Sequence, residues 1–438
     1  MWNPLRNTKK IYLDHASSTS LDPICRQVMS DCEDQIKGAN PSAVHTLGIV
    51  ARRYVEHARE SVAKSLSAHS DEIIFTGSGT ESVALAIHGA VKNYVGTHLP
   101  HIITTSIEHS AVLENCRLLE KEGKAMVTYI SINEKGIVNP KDVRDALRPE
   151  TVLVSVMYAN NEIGTIQPIE EIAKEIRHFR KVHSGKSIAE GQNDLAGPRI
   201  SSPNTSDGRG QTQPNHSILP LFHTDACQAM NYLFTENIEK LGVDLLSFNG
   251  SKIYGPKGVG VLFKKRSVTL APLYAGGGQE FGLRSGTENV SAIVGIGHAL
   301  LKAKRIKEKE SARLVLLREY GIEKLRTLSQ ESGYEIMVNG DEKSRLPNNI
   351  NISISGISSE LLVIELDAKG ILVSERSACA SDNDTGSHVI AMLRRSSNDT
   401  KHSNDSIRIS MGRGTKKSDI DACIKALASI LEKYKKWK

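Results

Sequence analysis

The sequence predicts an α/β fold: a large unit with a mostly parallel sheet covered by helices, then a smaller C-terminal α/β unit. Three observations predict it. From about residue 50 to 265, short apolar runs alternate with stretches of helical periodicity. Those runs are near-continuous rather than alternating, as in strands buried on both faces. After about residue 300 a charged helix opens a stretch that ends in the helical run Ile420–Tyr434. A chain of 438 residues has room for about two or three domains.

Ala51, Val55, Ala58, Val62 and Leu66 recur at helical spacing and predict an amphipathic helix. Strands are expected at Ile73–Phe75, Ile102–Ile103, Val127–Ile132, Val152–Met157, Leu221–Phe222, Leu245–Leu246 and Val259–Phe263. Helices over Ser82–Tyr94, Val112–Glu122 and Ile169–Arg180 link most of them. Residues 184–220 break the pattern. They are rich in Gly, Pro, Ser and Asn, lack apolar periodicity, and read as a disordered insertion. Gly185-Lys186-Ser187 lacks the upstream glycine of a P-loop, so no nucleotide site is expected there. Residues 394–406 form a second polar stretch, expected to be a loop.

Composition narrows the function class. Hydrophobic residues make up 39% and charged residues 24%, ordinary for a globular protein. No stretch of about 18 apolar residues exists, so no membrane span is expected. Met1–Lys10 has no apolar core of a secretory signal, and a cytoplasmic location is expected. The net charge of +6 is scattered and reads as a solvated surface, not a nucleic-acid face. The six cysteines, at 25, 32, 116, 227, 379 and 423, form no C-x-x-C pair. No metal site is expected.

Ligands of open parallel sheets bind beyond the carboxyl ends of the strands. Unusual polar residues stand at those ends here. Gly77-Ser78-Gly79-Thr80 follows the Ile73 strand and opens a helix, a cradle suited to one phosphate. His109 follows the Ile102 strand, and Asn160-Asn161-Glu162 the Val152 strand. Asp225 and Gln228 follow Phe222, and an aspartate there needs a cationic partner such as a protonated pyridine nitrogen. Ser247, Asn249, Ser251 and Lys252 follow Leu246. A lysine on a tight turn facing a desolvated cleft can lose its proton and form an imine.

With these residues in view, the chain resembles cysteine desulfurases of the NifS/IscS type, in the class V aminotransferase family. The motifs that carry the resemblance begin with Tyr12–Thr19, Asn40-Pro41-Ser42 with His45, Phe75–Ser82, Glu108-His109 and Asn160–Gly164. They continue with His223–Gln228, Ser251–Gly258, Arg284–Asn289, Ser377–Cys379 and Ile407–Arg413. The resemblance implies pyridoxal 5′-phosphate (PLP) fold type I with a seven-stranded sheet. It implies a large domain over 16–300, and a small domain from 1–15 and 301–438 that carries a mobile cysteine loop. Lys252 should carry PLP as an imine and move the substrate α-proton. Asp225 should pair with the pyridine nitrogen. His109 should stack on the ring and shuttle protons. Gln228 should donate to the phenolic oxygen, with Asn160 beside it. Gly79, Thr80, Asn249 and Ser251 should hold the phosphate. Thr287 should reach the phosphate of a neighbouring subunit, which implies a homodimer. Arg408 should clamp the substrate carboxylate through a bidentate fork, with Asn40 and Arg413 as further substrate contacts. Cys379 should take sulfur from L-cysteine as a persulfide and leave alanine, with Arg376 favouring its thiolate. An iron–sulfur scaffold protein is the implied sulfur acceptor, with tRNA thiolation as another route.

The match departs at Ser251, where a histidine is usual, and at Asn249, where serine is frequent. Both remain hydrogen-bond donors. An aminotransferase or a selenocysteine lyase on the same fold is the rival enzyme. A sulfur-scaffold partner without turnover is the non-enzymatic rival.

Overall fold

The computed structural model describes residues 10–184, 219–375, 386–399 and 402–436. Most of the expected insertion at 184–220 lies outside the described residues, as do Arg376 and Cys379. The chain opens with a short strand β1 (Ile11–Tyr12) and helices α1 (Pro23–Ile36) and α2 (Thr46–Leu66). Then follow β2 (Ile73–Thr76), α3 (Gly79–Lys92), β3 (His101–Thr105), α4 (Ser110–Lys121), β4 (Met126–Ile130) and α5 (Pro140–Ala146). The alternation continues through β5 (Thr151–Ser155), α6 (Ile169–Ser184), β6 (Leu221–Asp225), α7 (Ile238–Leu241), β7 (Leu245–Asn249) and β8 (Gly260–Lys264). The remainder comprises α8 (Val290–Ser332), β9 (Ile336–Val338), β10 (Asn349–Ile354) and α9 (Ser359–Ala368). It ends with β11 (Ile371–Leu372), α10 (His388–Ser396), β12 (Ile407–Ser410) and α11 (Lys417–Lys435).

Seven strands form one sheet in the order β2-β8-β7-β6-β5-β3-β4. Strands β3 to β7 run parallel. Strand β8 is antiparallel to both β2 and β7, so β2 points the same way as the parallel set. Every residue of β2, β3, β5 and β6 is buried, which is why their apolar residues do not alternate with exposed polar ones. Helix α2 buries Ala51, Val55, Ala58, Val62 and Leu66 as one stripe. Helix α1, which periodicity did not single out, starts with Pro23 in its first turn. The Asp22 side chain caps it by accepting from the Ile24 amide at 3.0 Å.

A second, antiparallel sheet has the order β12-β10-β9, and β1 pairs in parallel with β11. Leu13 therefore shares a core with Leu314, Ile350 and Leu427, far along the chain. Helix α8 has 43 residues and is about 65 Å long. Its residues Val290 to Leu300 pack in the core of the large sheet, and Leu314 to Leu328 in the second core. The loop expected over 394–406 begins later than the sequence suggested. Arg394 to Ser396 close helix α10, and the buried Arg394 donates to Asn339 Oδ1 at 3.2 Å and to Ser353 Oγ at 2.9 Å. Among the described residues, no helix is long and apolar enough to cross a membrane.

Candidate active site

The carboxyl ends of β2, β5, β6 and β7 open onto one cleft. Gly79, Thr80, His109, Asn161, Asp225, Gln228, Asn249, Ser251, Lys252 and Arg408 all line it. Thus the edge picked out by strand ends is a single site, completed from the C-terminal part of the chain by Arg408 of β12.

At one end of the cleft stands the N-terminus of α3. Ser78 caps it by accepting from the Glu81 amide at 3.1 Å. A Cβ at Gly79 would lie 2.9 Å from Asn249 Nδ2 and 3.0 Å from Cys227 Sγ, so only glycine fits this wall without a shift. Ser251 donates to Asn249 Oδ1 at 3.1 Å. Amides of a helix start, two hydroxyls and an amide side chain make a cradle for a dianionic phosphate.

His109 caps α4 by accepting from the Ala111 amide through Nδ1 at 3.0 Å. That bond leaves the ring proton on Nε2 while the imidazole is neutral. Burial lowers the His109 pKa, the Asp225 carboxylate opposing it. The ring is therefore a flat neutral wall with one donor. Behind it, Glu108 is fully buried. Its Oε1 accepts from Thr105 Oγ1 at 2.7 Å and from the Met157 amide at 2.9 Å. Burial raises its pKa to about 8, so this side chain is a neutral acid at pH 7.

Asp225 ends β6 and accepts from the Cys227 amide at 2.9 Å. Among the described residues it forms no ion pair, although it is only 8% exposed. Below it, His223 bridges β5 and β7 through Ser155 Oγ at 2.8 Å and Ser247 Oγ at 2.9 Å, and burial lowers its pKa to about 4. Lys252 closes a short 3-10 turn after β7. Its Nζ donates to Ala16 O at 2.8 Å and also to Ser17 O. Gln228 Nε2 donates to the same Ala16 carbonyl at 2.9 Å. A buried carboxylate needing a cation, a nearby amine, a flat imidazole and a phosphate cradle together fit PLP.

The family match now has geometry beneath it. The description "Aminotransferase class-V" matches residues 11–183 and 210–423. The chain belongs to the class-V aminotransferase family. Its cofactor is PLP. A protein of Dictyoglomus turgidum named cysteine desulfurase IscS is 38% identical over 98% of this chain and 96% of its own. A cysteine desulfurase IscS of Pseudomonas aeruginosa is 37% identical over 97% of this chain and 93% of its own. Among solved structures, a NifS-like protein superposes with a TM-score of 0.80 at 30% identity, covering 97% of this chain and 99% of that one. Another, described as SspA in complex with cysteine, has a TM-score of 0.71 at 29% identity, covering 92% of this chain and 99% of that one.

Three expected site residues, Asn160, Asn40 and Arg413, sit elsewhere than the sequence suggested. Asn160 does not line the cleft. Its Nδ2 donates to Ile107 O and its Oδ1 accepts the amides of Glu162 and Ile163, each at 2.9 Å, so it shapes the turn. The neighbouring Asn161 faces the cleft instead. Asn40 is exposed, caps the Ser42 amide at 2.8 Å and is not in the cleft wall. Arg413 stacks 4.0 Å above the Tyr254 ring and pairs with Asp22 at 3.2 Å, outside the cleft. Thr287 is exposed and does not line the cleft of its own chain. Sequence reasoning missed the wall formed by Ala16 and Ser17. The run Tyr12–Thr19 directly after β1 was the available signal.

Proposed function

We infer that the protein is a cysteine desulfurase that converts L-cysteine to L-alanine and leaves the sulfur on Cys379. One observation carries this reading. The proton-moving amine of Lys252 and the carboxylate fork of Arg408 share one cleft, and two described residues that flank Cys379 in the sequence, Ser374 and Ser387, are bonded to residues of that cleft or next to it. Ser374 exchanges backbone hydrogen bonds with Arg408, at 3.2 and 2.6 Å. On the far side of Cys379, Ser387 Oγ bonds Glu162 Oε2 at 2.5 Å, next to the cleft-lining Asn161.

When bound, PLP supplies an electron sink that stabilises negative charge at the substrate Cα. The chain's own residues do the rest. Arg408 fixes the substrate carboxylate and so aims the Cα–H bond. Lys252 Nζ takes that proton and can return one. The Cys379 thiolate attacks the substrate sulfur. A sulfur–sulfur bond forms, the Cβ–S bond breaks, and a proton completes the methyl group of alanine. The balance is L-cysteine plus a thiol giving L-alanine plus a persulfide. The other cysteines are poor candidates for this thiolate. Burial raises Cys25 and Cys32 to about 11 and Cys116 and Cys423 to about 12, and raises Cys227 as well.

The same reading takes the chain as two domains, 16–300 and 1–15 with 301–438. The passage of α8 from one core to the other supports that division. It takes the protein as a cytoplasmic homodimer in which Thr287 serves the partner's phosphate, and as a sulfur donor to an iron–sulfur scaffold. Mass spectrometry after mixing with L-cysteine tests the chemistry. The peptide containing Cys379 should gain one sulfur, and C379S should form alanine no faster than a cysteine-free blank. An unmodified Cys379 peptide in enzyme with its cofactor intact would sink the reading.

A further inference from the structure

The substrate fork is not idle in this structure. Arg408 is 2% exposed. Its Nη2 donates to Asp14 Oδ1 at 2.8 Å and to Ser17 Oγ at 2.6 Å. Its Nη1 donates to Asn161 O at 2.9 Å. Its Nε is buried and has no hydrogen-bond partner among the described residues. A guanidinium offers a carboxylate two bidentate edges, Nε with Nη2 and Nη1 with Nη2. Both pass through Nη2. A substrate carboxylate on either edge must therefore share or take the nitrogen that Asp14 already holds.

We propose that Asp14 is a built-in competitor for the substrate carboxylate at Arg408 and thereby sets how tightly cysteine binds. The proposal rests on Arg408 being the carboxylate fork. Two carboxylates on one guanidinium repel each other, and the low dielectric of a buried site makes that repulsion strong. Arg408 does not need the Asp14 charge to stay in place. Its backbone lies in β12, paired residue for residue with Asn351 of β10, and Asn161 O holds Nη1 independently. Asp14 in turn is fixed by its bridge to Ser410 and accepts from Ser17 Oγ at 2.9 Å. The pair is thus anchored from both sides. Substrate must open it rather than fill an open fork, which penalises ligands whose carboxylate cannot displace an internal one. Asp14 acts here as a positioning residue that works through Arg408.

The test uses the holoenzyme and two probes. 3-Mercaptopropionate carries the thiol and carboxylate but no amine. Cysteamine carries the thiol and amine but no carboxylate. D14N keeps the acceptor and removes the charge, and D14S does so with a smaller group should the amide fail to fold. Either variant should bind 3-mercaptopropionate roughly threefold to tenfold more tightly by calorimetry, a tenfold gain being about 1.4 kcal/mol. KM for L-cysteine should fall by a similar factor, kcat should not rise, and cysteamine affinity should not move. R408K should weaken 3-mercaptopropionate tenfold or more. If R408K leaves that probe untouched, the fork assignment itself fails. If R408K weakens it while folded D14N or D14S binds it no better than the parent, the fork stands and the competitor is overturned.

Discussion

At the scale of single residues, chemistry follows from which atom of a side chain is already occupied. His109 uses Nδ1 to cap α4, so a proton gained there would break the cap, and its pKa is lowered by burial. H109Q should lower kcat yet leave the shape of the pH–rate profile between about 6 and 8 unchanged. A profile that loses its acid limb would show that His109 titrates in turnover. K252A should bind PLP without the visible band of a lysine imine and should not release alanine. Lys252, Asp225 and Gly79 were legible in the sequence because each follows an apolar strand end, where few structural demands call for those residue types. Asn161 was not, because Asn160 and Asn161 are the same residue in the same turn. Only the fold separates the one whose side chain holds the turn from the one that lines the cleft. Ala16 and Ser17 were illegible for another reason. They meet Lys252 through carbonyl oxygens, which every residue possesses.

At the scale of elements, the segment from Tyr274 to Asn289 is pinned beside the phosphate cradle. Glu280 and Phe281 are consecutive non-glycine residues with φ of 47° and 58°, a left-handed pair that costs about 1–3 kcal/mol per residue. A buried ion pair holds them there. Arg59 donates to both Glu280 oxygens, at 2.8 and 2.7 Å, and Glu280 Oε2 also accepts the Phe75 amide at 2.7 Å. Further along, Arg284 pairs with Glu81 of α3 at 2.9 Å, and Glu81 Oε2 accepts the Gly77 amide at 2.7 Å. Removing one partner strands a buried charge, so E280A should cost about 3–5 kcal/mol in urea unfolding. A loss under about 1 kcal/mol, within the range of an exposed pair, would show that the loop holds itself. The sheet was legible as apolar runs, but the reversal of β8 was not. A strand buried on both faces reads alike in either direction. Helix α10 was partly hidden because its last turn is Arg and Ser, and the buried contacts of Arg394 come from β9 and β10 rather than from local periodicity.

At the scale of the whole molecule, two sets of buried groups bend stability in opposite senses with pH. His15, His101 and His223 each have their pKa lowered from 6.5 to about 4, chiefly by burial. Between those values the unfolded chain binds more protons than the folded one, so stability falls as pH drops from 6.5 toward 4. Glu108 is shifted the other way, from 4.5 to about 8. The folded state holds its proton longer, so this group makes stability fall as pH rises from 4.5 to 8. Urea midpoints of E108Q against the parent should therefore differ increasingly toward pH 8, the parent losing more. Parallel curves would show Glu108 ionised in the native state. The uninterrupted course of α8 through both cores has a mechanical consequence. Each residue of a helix adds about 100° of rotation and 1.5 Å of advance. One amino acid inserted between Leu300 and Leu314 would swing everything downstream about the helix axis, carrying Arg408 away from Lys252 while leaving every side chain of the cleft unaltered in identity. The two ends of the reaction are kept in phase by a drive shaft that admits no change in the number of its turns.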